Sequence, residues 1–164
     1  MKINKYILLK LAVIVIAGVV SNACASDPVQ EDLIDYINNQ VPKFAAVASE
    51  IVNDHNAVSG KNFQDDAALY KALQGKILPE CRKMEIILKE VSPKTPEIRK
   101  LHALYVEAYQ HEYRGFLLIK TAIEKQDSGI IPTANAEFKK MKQLQQKWRE
   151  QLDRLNKKHN IDLE

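Results

Sequence analysis

Apolar residues recur at alternating steps of three and four along four separate stretches of this chain, a spacing that amphipathic α-helices satisfy and β-strands do not. In the first stretch Ile34, Ile37, Val41, Phe44, Ala48, Ile51, His55 and Val58 share one helical face. Tyr70, Leu73, Ile77, Cys81, Met84, Leu88 and Val91 mark a less regular second stripe. The third carries Ile98, Leu101, Tyr105, Ala108 and Glu112, then Phe116, Ile119 and Ile123 after a slip of one residue. Phe138, Met141, Gln145, Trp148, Leu152, Leu155 and His159 make the fourth.

Loop-like punctuation at Val58–Asn62, Ser92–Pro96 and Asp127–Pro132 separates the stripes. The expected helices cover roughly 29–57, 65–91, 96–126 and 133–160, with ends uncertain by about two to four residues. Thr95 before Pro96 and Glu97 reads as an N-cap, and Thr133 can cap the fourth helix. Five glycines in 164 residues leave few tight turns, which argues against an all-β fold. Short connections favour antiparallel neighbours, so the expected architecture is an all-α, up-down-up-down four-helix bundle of residues 26–164, with a helical-hairpin array as the alternative. Pro42 and Pro79 interrupt helix interiors and predict kinks; in a hairpin turning near residue 61 they would lie at nearly the same depth, where a widened layer could hold water or a ligand.

Residues 1–25 read as an export signal. Lys2 and Lys5 form a basic start, an apolar stretch from Ile7 to Val20 is broken only by Lys10, and Ser21 to Ala25 are small or polar. The run from Leu11 to Val20 is well below the roughly 20 residues a membrane span needs. Ala23-Cys24-Ala25 fits the A-x-A pattern and favours cleavage before Ser26, which releases a soluble periplasmic or secreted product. The alternative is cleavage before a lipidated Cys24, giving a membrane-anchored lipoprotein, although Ser21 stands where such signals usually carry Leu. Either route leaves Cys81 without a partner in an oxidising compartment, and a small buried hydrophobe is its expected role.

Without the three lysines of that segment, bases and acids balance at 21 each. The balance gives no electrostatic reason to expect nucleic-acid binding. The charge is nevertheless uneven, since the fourth stretch holds Lys139, Lys140, Lys142, Lys147, Arg149, Arg154, Lys157 and Lys158 against Glu137, Glu150 and Asp153. This is a solvated polar face, or a contact for anionic phospholipid head groups that a lipidated Cys24 would reinforce.

No catalytic motif is visible, whether G-x-S-x-G, P-loop, Rossmann fingerprint or H-E-x-x-H; His111-Glu112 begins the last of these, but residue 115 is Gly. The reading is therefore of a non-enzymatic protein with no cofactor. His55, Glu112 and His159 are polar residues on apolar stripes, and Glu112 most needs an explanation because a buried carboxylate must be paired or protonated. Arg149 is its expected partner, with a ligand contact as the alternative. His102 and His159 would lie at one end of the bundle as weak metal or haem candidates. Tyr105, Tyr109 and Tyr113 form a ridge that is either core or an exposed docking strip.

The stretch Leu101–Ile123, the loop Asp127-Ser128-Gly129 and the ending Lys158 to Leu163 resemble, in their periodicity, small bacterial secreted proteins and lipoproteins built as helical bundles. The resemblance covers about half the chain. It implies a bundle and an envelope address and carries over no functional residue. The functional expectation is an exported envelope protein that binds a partner through a helix face, with Glu112, Tyr105, Tyr109 and Tyr113 as candidate binding residues. The alternative is a small-ligand, metal or haem-binding bundle.

Overall fold

The computed structural model describes residues 27–161, so the export segment, Cys24 and the cleavage sites lie outside the described residues. Within them the chain is all-α, with four helices and no strand. We label them α1 (28–56), α2 (66–90), α3 (Pro96–Lys125) and α4 (Ile131–Lys158). None is long and apolar enough to cross a membrane.

The two interior prolines explain why the first two helices are not uniform. A π-helical turn, Tyr36–Gln40, precedes Pro42, and another, Leu73–Ile77, precedes Pro79, so each proline enters the second position of a fresh α-helical segment. A proline there needs no N–H donor, which its ring lacks, and the wider turn accommodates it without ending the helix. The extra residue also shifts the buried face. Up to the first residue of that π turn the core residues are Leu33 and Tyr36, not the expected Ile34 and Ile37, and Ile34 is exposed. After it Phe44, Val47 and Ile51 are buried. In α2 the same device accounts for two consecutive steps of four, Leu73 to Ile77 to Cys81, all fully buried.

The prolines do not share a layer. Lys76 pairs with Asp54 at 3.3 Å and Lys83 with Glu50 at 3.7 Å, while Phe44 and Leu88 both meet His102. On that register Pro79 lies near Ile51 and Pro42 near Leu88, roughly 14 Å apart at 1.5 Å per residue. The offset arises because α2 begins beyond the end of α1, bridged by a loop whose sharpest point is Gly60 at φ +58°, a left-handed conformation that favours glycine.

The core is made of α1 residues Leu33, Tyr36, Phe44 and Ile51, α2 residues Leu73, Ile77, Cys81 and Met84, and α3 residues Ile98, Leu101 and Phe116, closed by Met141 and Leu155 of α4. Full burial of each such side chain contributes about 1.5–3 kcal/mol, which makes the four stripes mutually dependent. α3 and α4 pack tightly at Gly115, where a Cβ would stand 2.7 Å from the Phe138 ring.

Two caps differ from expectation. Thr95 occupies the N-cap position of α3, but its hydroxyl donates to Asp32 of α1 at 2.6 Å, and Asp32 also accepts the Lys94 and Thr95 amides. Thr133 lies inside α4, which starts two residues earlier because Pro132 suits the first turn; Asp127 caps the short turn before it by accepting from Gly129.

Candidate functional site

α3 supplies most of the unusual chemistry because its buried stripe admits polar residues. Glu112 is buried and forms no hydrogen bond or ion pair among the described residues. Arg149, its expected partner, instead donates to Gln146 on the exposed side of α4. Burial alone raises the Glu112 carboxyl to about 7. Its neighbours are poor acids: burial pushes the Cys81 thiol up to about 12, with Glu112 adding to the effect, and raises the Tyr105 and Tyr109 hydroxyls. Cys81 is fully buried, so its thiol stays protonated and inert.

The tyrosine ridge divides because steps of four drift by about 40° per step around a helix. Tyr105 turns inward, with ring centroids 4.4 Å from Phe44 and 5.4 Å from Trp148. Tyr109 is buried and its hydroxyl donates to the Cys81 carbonyl. Tyr113, half-buried, stacks on Tyr109 with centroids 6.2 Å apart.

Those two rings border a groove between α2 and α3. Its more enclosed part, about 250 Å³, is lined by Glu85, Leu88, Lys89, Val106, Tyr109 and Tyr113, with Gln110 and Arg114 at the edge. A shallower part of about 570 Å³ continues through Leu88, Val106 and Gln110 towards His102 and Arg99. Leu117 and Ile86 are exposed apolar side chains on the same two helices. Val106 and Gln110 were not singled out from the sequence, and Leu88 only as a member of the second apolar stripe. The available signal was a second apolar row on α3, Val106, Tyr113 and Leu117 at steps of seven and four, displaced from the main stripe.

The two candidate metal-binding histidines are not brought together. His102 is buried with its Nε2 3.1 Å from the Leu88 carbonyl, so Nε2 carries the proton and Nδ1 accepts from the Tyr36 hydroxyl at 3.3 Å. Burial lowers its pKa and keeps the imidazole neutral. The Trp148 indole N–H approaches the Tyr36 oxygen without reaching hydrogen-bond geometry. His159 sits at the end of α4, its Nδ1 2.5 Å from Asp27 and its carbonyl accepting from Gln30. The His159 contact holds the Asp27 carboxyl below its ordinary range. No group of three or more His, Cys, Asp or Glu among the described residues could hold a metal ion. His55 packs edge-on against Phe116 at 5.2 Å and stacks on Phe138 at 6.1 Å, and burial lowers its pKa.

On the α3–α4 seam Glu137 accepts from His111 at 2.6 Å and Arg114 at 3.1 Å, and its carboxyl is lowered chiefly by His111. This cluster ties two helices together, and its Arg114 also borders the α2–α3 groove. The chain matches no family model, no curated protein and no solved structure.

Proposed function

We propose that this is an exported, non-enzymatic protein of the bacterial envelope, folded up-down-up-down, that binds an amphipathic helix of a partner protein along the α2–α3 groove. The three-part sequence of residues 1–25 supports export. Contacts between helix ends support the chain path: Asp27 with His159 and Asp32 with Thr95 at one end, Tyr70 with Glu124 at the other.

The observation that carries the binding reading is the groove's length and lining. From Arg99 to Arg114 it follows α3 for 15 steps, roughly 23 Å, open along its side. Leu88, Val106 and the Tyr109–Tyr113 stack give an apolar floor, and Glu85, Lys89 and Arg114 a charged rim. A laid-in helix with apolar anchors every three or four residues suits that shape better than a compact ligand does.

The test uses an anilinonaphthalene sulfonate dye, which fluoresces in apolar grooves, and a synthetic amphipathic helix of leucine and glutamine as competitor. The protein should enhance the dye, the peptide should displace it, and Val106→Glu or Gln110→Trp should abolish enhancement without lowering the melting temperature by more than a few degrees. A protein that leaves the dye dark, or variants that enhance it equally, would overturn the site. Intact mass of the exported protein tests processing: a chain starting at Ser26 is expected, and a diacylated chain starting at Cys24 would replace the soluble product with the lipoprotein.

A further inference from the structure

The eight cations of α4 are all exposed, and none forms an ion pair among the described residues. Four lysines elsewhere, Lys76, Lys83, Lys89 and Lys120, each lie within 4 Å of a carboxylate. Glu137, one of the three acids on α4, is engaged by His111 and Arg114, which leaves Glu150 and Asp153 to oppose the eight. Outside α4, acids outnumber bases among the described residues, so the molecule is electrically one-sided. Lys140, Lys147 and Arg154, at steps of seven, form an exposed row about 100° around the helix from the Met141–Leu155 core face, and the basic span from Lys139 to Lys158 is roughly 28 Å long.

The second observation is where the chain begins. Asp27 is bonded to His159, so the first described residue lies at the end of α4 that carries Lys157 and Lys158. A lipid on Cys24 would draw the basic end to a bilayer, and an amino group left by cleavage before Ser26 would add a cation there.

We infer that the exposed face of α4 rests on a bilayer rich in anionic phospholipid, held by several phosphate head groups at once. The cations span many head-group spacings, and the attraction acts within a Debye length of about 8–10 Å. α3 meets α4 through Gly115 and His111 and lines the groove through Val106 and Gln110, on the opposite side of its axis. Membrane contact therefore leaves the groove open. The inference does not depend on the groove's occupant.

The experiment is co-sedimentation of the exported protein, without added lipid anchor, with vesicles of phosphatidylcholine containing about 30 mol% phosphatidylglycerol, at about 0.1 M salt. Binding is expected, with loss on pure phosphatidylcholine and at least about a tenfold fall for the triple variant Lys140→Glu, Lys147→Glu, Arg154→Glu. A control with Lys61→Glu and Lys71→Glu, exposed lysines off α4, should bind like the parent. Equal binding to neutral vesicles, no binding to anionic ones, a triple variant that binds as the parent does, or binding to heparin but not to vesicles would each overturn the inference. Circular dichroism of the triple variant should show it folded, since all three positions are exposed.

Discussion

Asp32, on the first helix, holds the start of α3 across more than sixty residues of chain: its carboxylate accepts the Thr95 hydroxyl at 2.6 Å and the Thr95 and Lys94 amides at 2.7 and 3.1 Å. Asp32 is 3% exposed, so its carboxylate relies on these three part-buried bonds. Hydrogen bonds to a charged acceptor are stronger than neutral ones, and losing the acceptor leaves buried donors unsatisfied. Asp32→Ala should destabilise by about 3 kcal/mol in urea unfolding. Thr95→Val, which removes one of the three, should cost about 1 kcal/mol, and equal effects for the two variants would refute the shared cap.

Gly115 makes room for the Phe138 ring between α3 and α4. A methyl at 115 would meet three ring carbons at 2.7 to 3.0 Å, and an aromatic ring offers no flexible end to move. Gly115→Ala should lower stability by about 1–3 kcal/mol despite alanine's better helix propensity. Gly115→Ala combined with Phe138→Leu should recover part of the loss. Thermal melts of the four proteins measure that coupling.

Glu112 gives the fold a pH dependence of known sign. Its carboxyl is raised by burial to about 7 from an ordinary 4.5, so the folded chain keeps a proton that the unfolded chain has lost. The stabilising contribution is complete below pH 4.5, declines as pH rises, and is gone above about pH 7, a total of about 3 kcal/mol. Glu112→Gln should match the parent near pH 4.5, exceed it at pH 8, and flatten the profile between. Destabilisation by Gln at every pH would instead point to a charge partner for Glu112.

Gln126 ends α3 in a left-handed conformation, φ 51°, with its amide donating to Ile123 and that of Asp127 to Ala122. Glycine is the usual residue at this point of such a motif because it has no Cβ to strain. Gln126→Gly should stabilise the protein by about 0.5–1 kcal/mol, and a loss of stability would show that the side chain makes an unseen contribution.

The limits of the four helices, their apolar faces and the burial of Cys81 were legible in the residues, because helical period, proline and loop punctuation act within a few positions of where they are written. Even there the π turns hid one detail. A pattern of three and four assumes a uniform helix, and the extra residue before Pro42 moved the core from Ile34 to Leu33. The sequence also marked Glu112 as the misplaced acid but not its condition, since Arg149 was near it along an idealised helix pair and turned away in three dimensions.

Tertiary structure alone decided the rest. That Asp32 caps α3, that His102 bonds Tyr36 while His159 bonds Asp27, and that Pro42 and Pro79 lie at different depths all depend on the offset between helices, which local spacing does not encode. The groove arises in the same way, from a seam between α2 and α3 left less filled than the one closed by Gly115 and Phe138. The chain's sequence by itself determined which residues seek the interior, because hydrophobic burial is a property of each side chain and its helical phase. Which polar groups meet there depended on register and crossing distance, and those are settled only when all four stripes are packed together.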